Sequence, residues 1–226
     1  MSVLKADNLA DVIRQRRSVR GFLPQAVAPE LLRKVFEIAQ RAPSNCNVQP
    51  WHVHVVSGAS CEALRSELHA AAAADTPINP DFPPGGRYPG IYRDREWDAA
   101  LQLYGAQGVE RGDRAGRRAS FLRNYTFFGA PHALFLFLDE PFGAREAADC
   151  GMYAQTLMLA MTAHGLASCA QGSLSMYPDI VRRHLGVPET QRLLFGMSFG
   201  YEDTAEPANA TRVGRIALDE SVRFHD

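Results

Sequence analysis

The sequence predicts an α+β fold in which helices surround one central mixed, mainly antiparallel sheet. Segments of helical periodicity and strand pattern follow the order helix, helix, strand, helix, helix, strand, helix, strand, helix, strand. One strand pattern, residues 133–138, is continuously apolar, as expected of a strand covered on both faces. The chain has 226 residues and 46% of them are apolar, so we expect residues 1–226 to form a single domain with a substantial core.

The N-terminal elements are predicted from caps, prolines and periodicity. Asp7 suits the N-cap of a first helix, which we expect to end around an arginine cluster and to be stopped by Gly21. Pro29 suits the start of a second helix, and Pro43 closes it. An alternating strand pattern then covers residues 52–56, and an Ala-rich helix pattern covers residues 61–74.

The segment from residue 75 to residue 118 is expected to be an excursion from the body and not a separate domain. From residue 75 to about residue 95 it holds five prolines and few aliphatic side chains, which predicts a long irregular segment. Its charged and aromatic continuation to residue 118 is too poor in aliphatic side chains to build its own core. We therefore interpret this excursion as a lid over a functional site.

The C-terminal half alternates helices with strands. Helices are predicted over residues 119–128, 145–164 and 177–185, and strands over residues 133–138, 166–170 and 193–200. The helix over residues 145–164 is apolar nearly all round. A helix without a polar face is buried, so we expect it either at the centre of the domain or inside a subunit interface.

Composition and charge exclude several classes of function. The formal net charge is −1, so no overall positive field is available to attract nucleic acid or an anionic membrane. No apolar run approaches the roughly 20 residues that a membrane-spanning helix requires. The four cysteines form no CxxC pair and no histidine lies at metal-ligand spacing from them, so we predict no metal site. Because no signal-peptide pattern precedes the first helix, we expect reduced thiols and a cytoplasmic location.

Two short segments indicate a bound ligand. Residues 16–20 read Arg-Arg-Ser-Val-Arg, and guanidinium groups together with a hydroxyl suit the oxygens of a phosphate. Residues 42–51 read Ala-Pro-Ser-Asn-Cys-Asn-Val-Gln-Pro-Trp, and so many amides favour contact with a flat polar ring. Cations at a helix C-terminus and Pro, Ser and Asn in a turn are also ordinary surface features. The residues alone therefore leave a ligand site and a plain surface as alternatives.

Three further segments stand in register with these two along nearly the whole chain. They are residues 124–131, Asn-Tyr-Thr-Phe-Phe-Gly-Ala-Pro, residues 165–173, Gly-Leu-Ala-Ser-Cys-Ala-Gln-Gly-Ser, and residues 212–220, which begin Arg-Val-Gly-Arg. Together the five segments resemble the FMN-dependent nitroreductase family. The resemblance implies a sheet packed among helices and a C-terminal extension that crosses to the partner in an intertwined homodimer with two flavins at the interface.

The resemblance also implies which residues bind one non-covalent FMN per chain. Its phosphate is assigned to Arg16, Ser18 and Arg215, with Arg212 nearby. Arg17 is placed along the ribityl chain. Arg20 is placed at the N1/O2 edge of the ring, where a cation favours the negatively charged reduced flavin.

The ring of the flavin is assigned to residues from two other segments. Asn47 is placed at the pyrimidine edge, and the flavin of the other subunit is approached by Pro43, Ser44 and Asn45. Gln171 and Gly172 are placed near N5, where the main chain of residue 171 matters more than its side chain.

The implied function is an FMN-dependent oxidoreductase that takes a hydride from NAD(P)H and reduces nitroaromatic or quinone-like acceptors by a ping-pong mechanism. No catalytic side chain is expected, because the flavin performs the chemistry. No GxGxxG pattern follows a strand, so NAD(P)H is expected to bind transiently over the flavin face. The alternatives are a reductive dehalogenase or flavin-fragmenting enzyme of the same fold, a non-catalytic flavin-binding protein, and a protein without a cofactor.

Four aromatic side chains of the excursion are candidates for contact with the acceptor: Tyr88, Tyr92, Trp97 and Tyr104. Aromatic rings can stack on a planar nitroarene, and nearby arginines can pair with an acidic substituent. The alternative is that these side chains only pack the excursion onto the body.

Overall fold

The computed structural model describes residues 8–225, and its architecture confirms the predicted α+β class. The described strands are β1 Trp51–Ser57, β2 His132–Asp139, β3 Ala167–Gln171 and β4 Gln191–Gly200. The described helices are α1 Leu9–Gln15, α2 Pro29–Ala39, α3 Gly58–Ala73, α4 Gly90–Ala106, α5 Arg114–Leu122, α6 Ala144–Ala163, α7 Pro178–Leu185 and α8 Leu218–Ser221. No helix in this part of the chain is long and apolar enough to cross a membrane.

The four strands form one sheet in the order β1-β2-β4-β3, and every neighbouring pair is antiparallel. The parallel component is a single bridge between Ser18 and Ser168, at the outer edge of β3. This bridge brings the arginine-rich segment alongside the sheet. The predicted strand over residues 133–138 is confirmed within β2, which lies between β1 and β4.

Alternate side chains of β2 pack into two hydrophobic clusters, one on each face of the sheet. Leu134, Leu136 and Leu138 pack with helices α2 and α6, whereas Phe135 and Phe137 pack with helices α3 and α7. All five side chains are at most 2% exposed. The sheet is therefore covered on both faces, which explains why β2 has no polar residue before its final Asp139 apart from His132 at its start.

The long helix α6 lies within one residue of the predicted helix over residues 145–164 at each end, and in the single chain it is buried on one face only. Tyr153, Leu157 and Met161 face the core, and the ring of Tyr153 stacks on Trp51 with centroids 4.9 Å apart. The opposite face, which carries Met152 and Gln155, is exposed in the single chain. One side of this helix thus remains available for a further contact.

The first helix ends beside the arginine cluster, as predicted, but Gly21 is not the residue that stops it. Asp7 lies outside the described residues, and the side chain of Asn8 caps α1 by accepting a hydrogen bond from the N–H of Asp11 at 3.1 Å. The helix ends at Gln15 and does not extend through the arginine cluster to Gly21. The segment that follows is extended because the N–H of Val19 donates to the carbonyl of Ser168 at 3.1 Å.

The excursion contains a helix where residues 90–95 were predicted to be irregular. Its proline-rich part ends at Pro89, which has extended backbone angles and precedes the first residue of α4. Helix α4 has no buried residue, so it lacks the apolar stripe by which a helix is recognised in a sequence. The excursion is thus a proline-rich loop followed by an exposed helix.

The helix predicted over residues 119–128 is displaced towards the N-terminus. Helix α5 begins at Arg114, because the side chain of Asp113 accepts a hydrogen bond from the N–H of Gly116 at 2.8 Å. It ends at Leu122, before a turn in which Phe127 and Phe128 have φ angles of 55° and 52°. Left-handed angles at two successive residues are incompatible with a continuing helix.

Candidate active site

The arginine-rich segment is held as an extended chain beside β3. Arg16 caps the C-terminus of α1 with a ψ of 122°, and the chain then runs to the bridge between Ser18 and Ser168. Val19 is 3% exposed and packs into the core. Since side chains alternate along an extended chain, Ser18 and Arg20 point away from the core.

The second basic segment follows the last strand and lines the same cavity as the first. That cavity has a volume of about 900 Å³. Its lining includes six arginines and one acidic residue: Arg14, Arg16, Arg17, Arg20, Arg212, Arg215 and Glu202. Helix α6 contributes Gln155 and Thr162 to the wall. The structure therefore brings Arg16, Arg17, Ser18, Arg20, Arg212 and Arg215 together around one cavity.

The guanidinium groups in this cavity are close enough to repel one another. Burial lowers the pKa of Arg16 below its ordinary value, and the neighbouring cation of Arg215 lowers it further. Each effect disfavours the charged form, so both act against holding two cations here. An anion between the two guanidinium groups would remove this repulsion.

Arg17 differs from the other arginines because it already has an anionic partner. One of its terminal nitrogens, Nη2, forms an ion pair with the carboxylate of Glu202. The other, Nη1, is buried and has no hydrogen-bond partner within the described chain. The hydroxyl of Thr211, which also lines the cavity, is likewise buried without a partner in that part of the protein.

This cavity of about 900 Å³, called the larger cavity because a second one has a volume of about 340 Å³, has the properties that a phosphate-bearing cofactor such as FMN requires. It offers converging cations for the phosphate, and it holds two buried donors that lack a partner within residues 8–225. Arg16, Ser18, Arg212 and Arg215 could hold the phosphate, and Arg17 could donate through Nη1. Among residues 8–225 no group of three or more His, Cys, Asp or Glu side chains could hold a metal ion.

Gln171 and Gly172 lie at the far end of β3 and do not line the larger cavity. The side chain of Gln171 is 4% exposed and fully engaged. Its Oε1 accepts a hydrogen bond from the hydroxyl of Ser198, and its Nε2 donates to the carbonyl of Asn124 at 3.0 Å. The amide of Gln171 therefore has a structural role, which leaves the main chain at residues 171 and 172 for contact with a ligand.

The segment with Pro43, Ser44, Asn45 and Asn47 is also separate from the larger cavity of its own chain. The N–H of Asn45 donates to the carboxylate of Asp149 on α6 at 3.1 Å, which fixes the segment to that helix. Cys46, Asn47 and Gln49 have φ angles of 48°, 56° and 51°, an uncommon conformation for residues other than glycine. The segment is thus a defined, exposed loop.

The four aromatic residues assigned to the acceptor do not converge in the single chain. Tyr88, Tyr92 and Trp97 are 59%, 60% and 53% exposed, and Tyr104 is half-buried. None of the four lines the larger cavity or a second cavity of about 340 Å³. That second cavity is lined by both ends of the excursion and by the segment after β3, through Ala72, Asp75, Thr76, Ile78, Arg118, Phe121, Tyr125, Ser173, Met176 and Tyr177.

Comparison with known proteins places this site in context. The nitroreductase family model matches residues 13–201. The chain belongs to the nitroreductase family. Nitroreductase NfnB of Mycolicibacterium smegmatis is 46% identical over 94% of this chain and 91% of its own length. A 4-nitrobenzoate reductase of Pseudomonas putida is 34% identical over 94% of this chain and 93% of its own length.

A member of the nitroreductase family with a solved structure has the same fold along nearly the whole chain. The crystal structure of the FMN-dependent nitroreductase NfnB from Mycobacterium smegmatis, in complex with NADPH, superposes with a TM-score of 0.92 at 45% identity. The superposition covers 96% of this chain and 98% of the NfnB chain. It extends past residue 201, where the family model ends, and so includes sequence on both sides of the larger cavity.

Sequence reasoning missed several residues that line this cavity or contact its lining. Glu202 pairs with Arg17, Thr211 lines the cavity, and Asn209 contacts the first basic segment. Arg123 and Glu206 pair beside that segment at 2.7 Å. Asn209 and Arg20 are 189 positions apart, and no local pattern in the sequence indicates their contact. The available signal was the position of Asn209 just before the basic motif that begins at Arg212.

Proposed function

We propose that this nitroreductase-family chain is an FMN-dependent, NAD(P)H-linked oxidoreductase that reduces nitroaromatic acceptors. When bound, FMN supplies the chemistry of hydride transfer, and the protein supplies binding and orientation. Relatives of similar length are a nitroreductase and 4-nitrobenzoate reductases. The solved NfnB structure is of an FMN-dependent enzyme in complex with NADPH.

The observation that carries the proposal is the convergence of Arg16 and Arg215 from opposite ends of the chain onto one cavity. Without an anion, burial and mutual repulsion disfavour this arrangement. The phosphate of FMN compensates for both effects through charge-assisted hydrogen bonds. Ser18 adds a hydroxyl donor on the same wall.

The other residues of the cavity bind and orient the cofactor in this proposal. Its ionisable lining consists of arginines and Glu202, and Glu202 is engaged with Arg17. Arginine stays protonated across the physiological pH range. The protein's contribution is therefore electrostatic: it fixes the position of a negatively charged cofactor by several cations.

The catalytic unit we propose is a homodimer with two composite sites. The loop that carries Pro43, Ser44, Asn45 and Asn47 is largely exposed, is bonded to α6 through Asp149, and does not line the larger cavity of its own chain. Helix α6 connects the two regions, since Asp149 holds the loop and Gln155 lines the cavity. The exposed face of α6 at Met152 and Gln155 is suited to pack against a second copy, which brings each loop to the partner's site.

The excursion with Tyr88, Tyr92, Trp97 and Tyr104 covers the acceptor in this proposal. Exposure of three of these rings in the single chain supports a role outside the core of their own subunit. A cytoplasmic location is supported by the cysteines, because all four are unpaired thiols and disulfides are rare in the reducing cytoplasm.

The test is an anaerobic pair of half-reactions on the purified protein. We expect a yellow protein that releases one FMN per chain on denaturation, bleaches with NADH or NADPH, and regains its colour with a nitroaromatic acceptor. FAD or no flavin in the denatured supernatant would refute the cofactor. Bleaching without reoxidation by nitro compounds would favour a flavin-binding protein or a dehalogenase, which an iodinated phenol as acceptor then distinguishes.

A further inference from the structure

We propose that Asn209 is a positioning residue that joins the two basic segments and thereby sets how tightly the cavity holds the phosphate of FMN. This inference rests on the proposed function. Asn209 lies in the short 3-10 helix Pro207–Ala210, after the last strand and before Arg212. It is 4% exposed, and its side chain points away from solvent towards the first basic segment.

The side chain of Asn209 forms three hydrogen bonds to the main chain. Its Oδ1 accepts from the N–H of Arg20 at 2.7 Å. Its Nδ2 donates to the carbonyl of Gly21 at 2.9 Å and to the carbonyl of Asp203 at 2.8 Å. Only a carboxamide supplies an acceptor and two donors in this arrangement. An aspartate would keep the bond to Arg20 and lose both donors.

The main chain of Asn209 contacts the second basic segment. Its carbonyl accepts a hydrogen bond from Nη1 of Arg212 at 2.7 Å. Arg20 and Arg212 both line the larger cavity. One buried residue therefore bonds directly to a cavity arginine on each of the two segments, through its side chain on one and its main chain on the other.

A second contact completes the restraint on Arg20. The carbonyl of Arg20 accepts a hydrogen bond from Nη2 of Arg123 at 2.9 Å. Arg123 is held by its ion pair with Glu206, which belongs to the same turn as Asn209. Because the N–H and the carbonyl of Arg20 are both hydrogen-bonded, the main chain from which its side chain extends is fixed relative to the cavity.

Loss of the Asn209 side chain leaves the N–H of Arg20 and the carbonyl of Gly21 without these partners. The first basic segment can then move, which shifts Arg16 and Ser18, the residues of that segment assigned to the phosphate, relative to Arg212. We expect Asn209→Ala to weaken FMN binding about tenfold, the effect of weakening one charge-assisted hydrogen bond. Riboflavin has no phosphate and shares with FMN only the ring edge assigned to Arg20, so its affinity should fall less than that of FMN.

The experiment compares FMN and riboflavin binding to the full-length apoprotein by quenching of flavin fluorescence. The variants are Asn209→Ala, Asn209→Asp and Glu206→Gln, and the control is Asn79→Ala, which removes a side-chain hydrogen bond to Asp179 outside the cavity. We expect the preference for FMN over riboflavin to fall in all three variants and to remain in the control. Urea titrations give the folded fraction, and Glu206→Gln supplies the test if the Asn209 variants do not fold.

The outcomes separate this inference from the proposed function. If the wild-type protein prefers FMN and Asn209→Ala keeps that preference while losing only stability, Asn209 has a purely structural role and the inference is wrong. If both flavins weaken equally in the variants, the effect is not on the phosphate and the inference is also wrong. A wild-type protein that binds neither flavin refutes the proposed function and this inference with it.

Discussion

The two basic segments and the excursion over residues 75–118 are attached to the protein body in different ways. Arg20 is held through its N–H and its carbonyl, and Val19 next to it is 3% exposed. Helix α4 of the excursion has no buried residue, although it packs near the turn Pro207–Ala210 and Arg95 reaches Glu220 at 3.5 Å. The basic segments, which are bonded and packed onto the body, suit a group that is the same in every turnover, such as the cofactor phosphate. The excursion, which has fewer buried contacts, suits acceptors that vary in shape.

The largest effect is expected from substitutions in the two basic segments, and it concerns the affinity for FMN. Arg16→Ala and Arg215→Ala each remove a charge-assisted contact to the phosphate, which costs about 1.5–3 kcal/mol, or roughly ten- to a hundredfold in affinity. Equilibrium dialysis of FMN against each variant measures this loss. Arg33→Ala is the matched control, since Arg33 is exposed on α2 in a pair with Glu37. Wild-type affinity in both cavity variants would show that the phosphate lies elsewhere.

Two glycine substitutions compare how tightly the first basic segment and the excursion are packed. A Cβ at Gly21 would lie 2.2 Å from Cγ of Glu206, so Gly21→Ala displaces the pair with Arg123 and should destabilise the protein by about 1–3 kcal/mol. A Cβ at Gly105 of α4 would meet nothing within 4 Å, so Gly105→Ala should be neutral or stabilise by up to about 1 kcal/mol. Urea unfolding measures both. Equal effects would mean that the two regions are packed alike.

A smaller effect is expected on how the stability of the protein depends on pH, through the carboxylate of Glu206. The Arg123 guanidinium, hydrogen-bonded to the carboxylate, holds the pKa of Glu206 below its ordinary value of 4.5, and burial opposes this. A depressed pKa contributes stability that is complete above pH 4.5 and is lost as the pH falls through the lower folded-state value. The stability difference between wild type and Glu206→Gln should therefore shrink as the pH falls below 4.5. A difference that stays constant down to pH 3 would contradict this.

The smallest effect on stability is expected in the excursion. Tyr92→Ala and Trp97→Ala remove exposed rings, so the free energy of unfolding should change by no more than about 0.5 kcal/mol and FMN should remain bound. If these rings contact the acceptor, kcat/KM should change unequally across a panel of nitro compounds. A uniform loss that follows thermal stability would mean that they only pack the excursion onto the body.

Elements with a continuous hydrophobic signal were predictable from the sequence. Strand β2 and helix α6 are apolar runs of the right length, and both lie where they were predicted. Helix α4 was predicted only as a charged continuation of a proline-rich loop, because a helix with no buried face leaves no periodic pattern. Gly21 was wrongly predicted to stop α1, because the bond that makes the chain extended after Gln15, from Val19 to Ser168, joins residues far apart in sequence.

In the site, too, residues that form a local pattern were predictable, whereas residues with distant partners were not. The arginines were identified because charge clusters within five residues are visible locally, and the structure does bring them together. Glu202, Glu206 and Asn209 act on residues about 80 to 190 positions away, so only the folded chain shows their partners. The side chain of Gln171 shows the opposite case, since its structural bonds to Ser198 and Asn124 cannot be read from a motif.

The bridge between Ser18 and Ser168 has a consequence for solubility. Strand β3 is the last of the four strands on its side of the sheet, and an open sheet edge invites pairing with strands of other molecules. The extended arginine segment occupies part of that edge, because the N–H of Val19 bonds to the carbonyl of Ser168. The segment that carries cations of the cavity thus also covers part of an open sheet edge, so changes made there to alter cofactor affinity are expected to affect both properties.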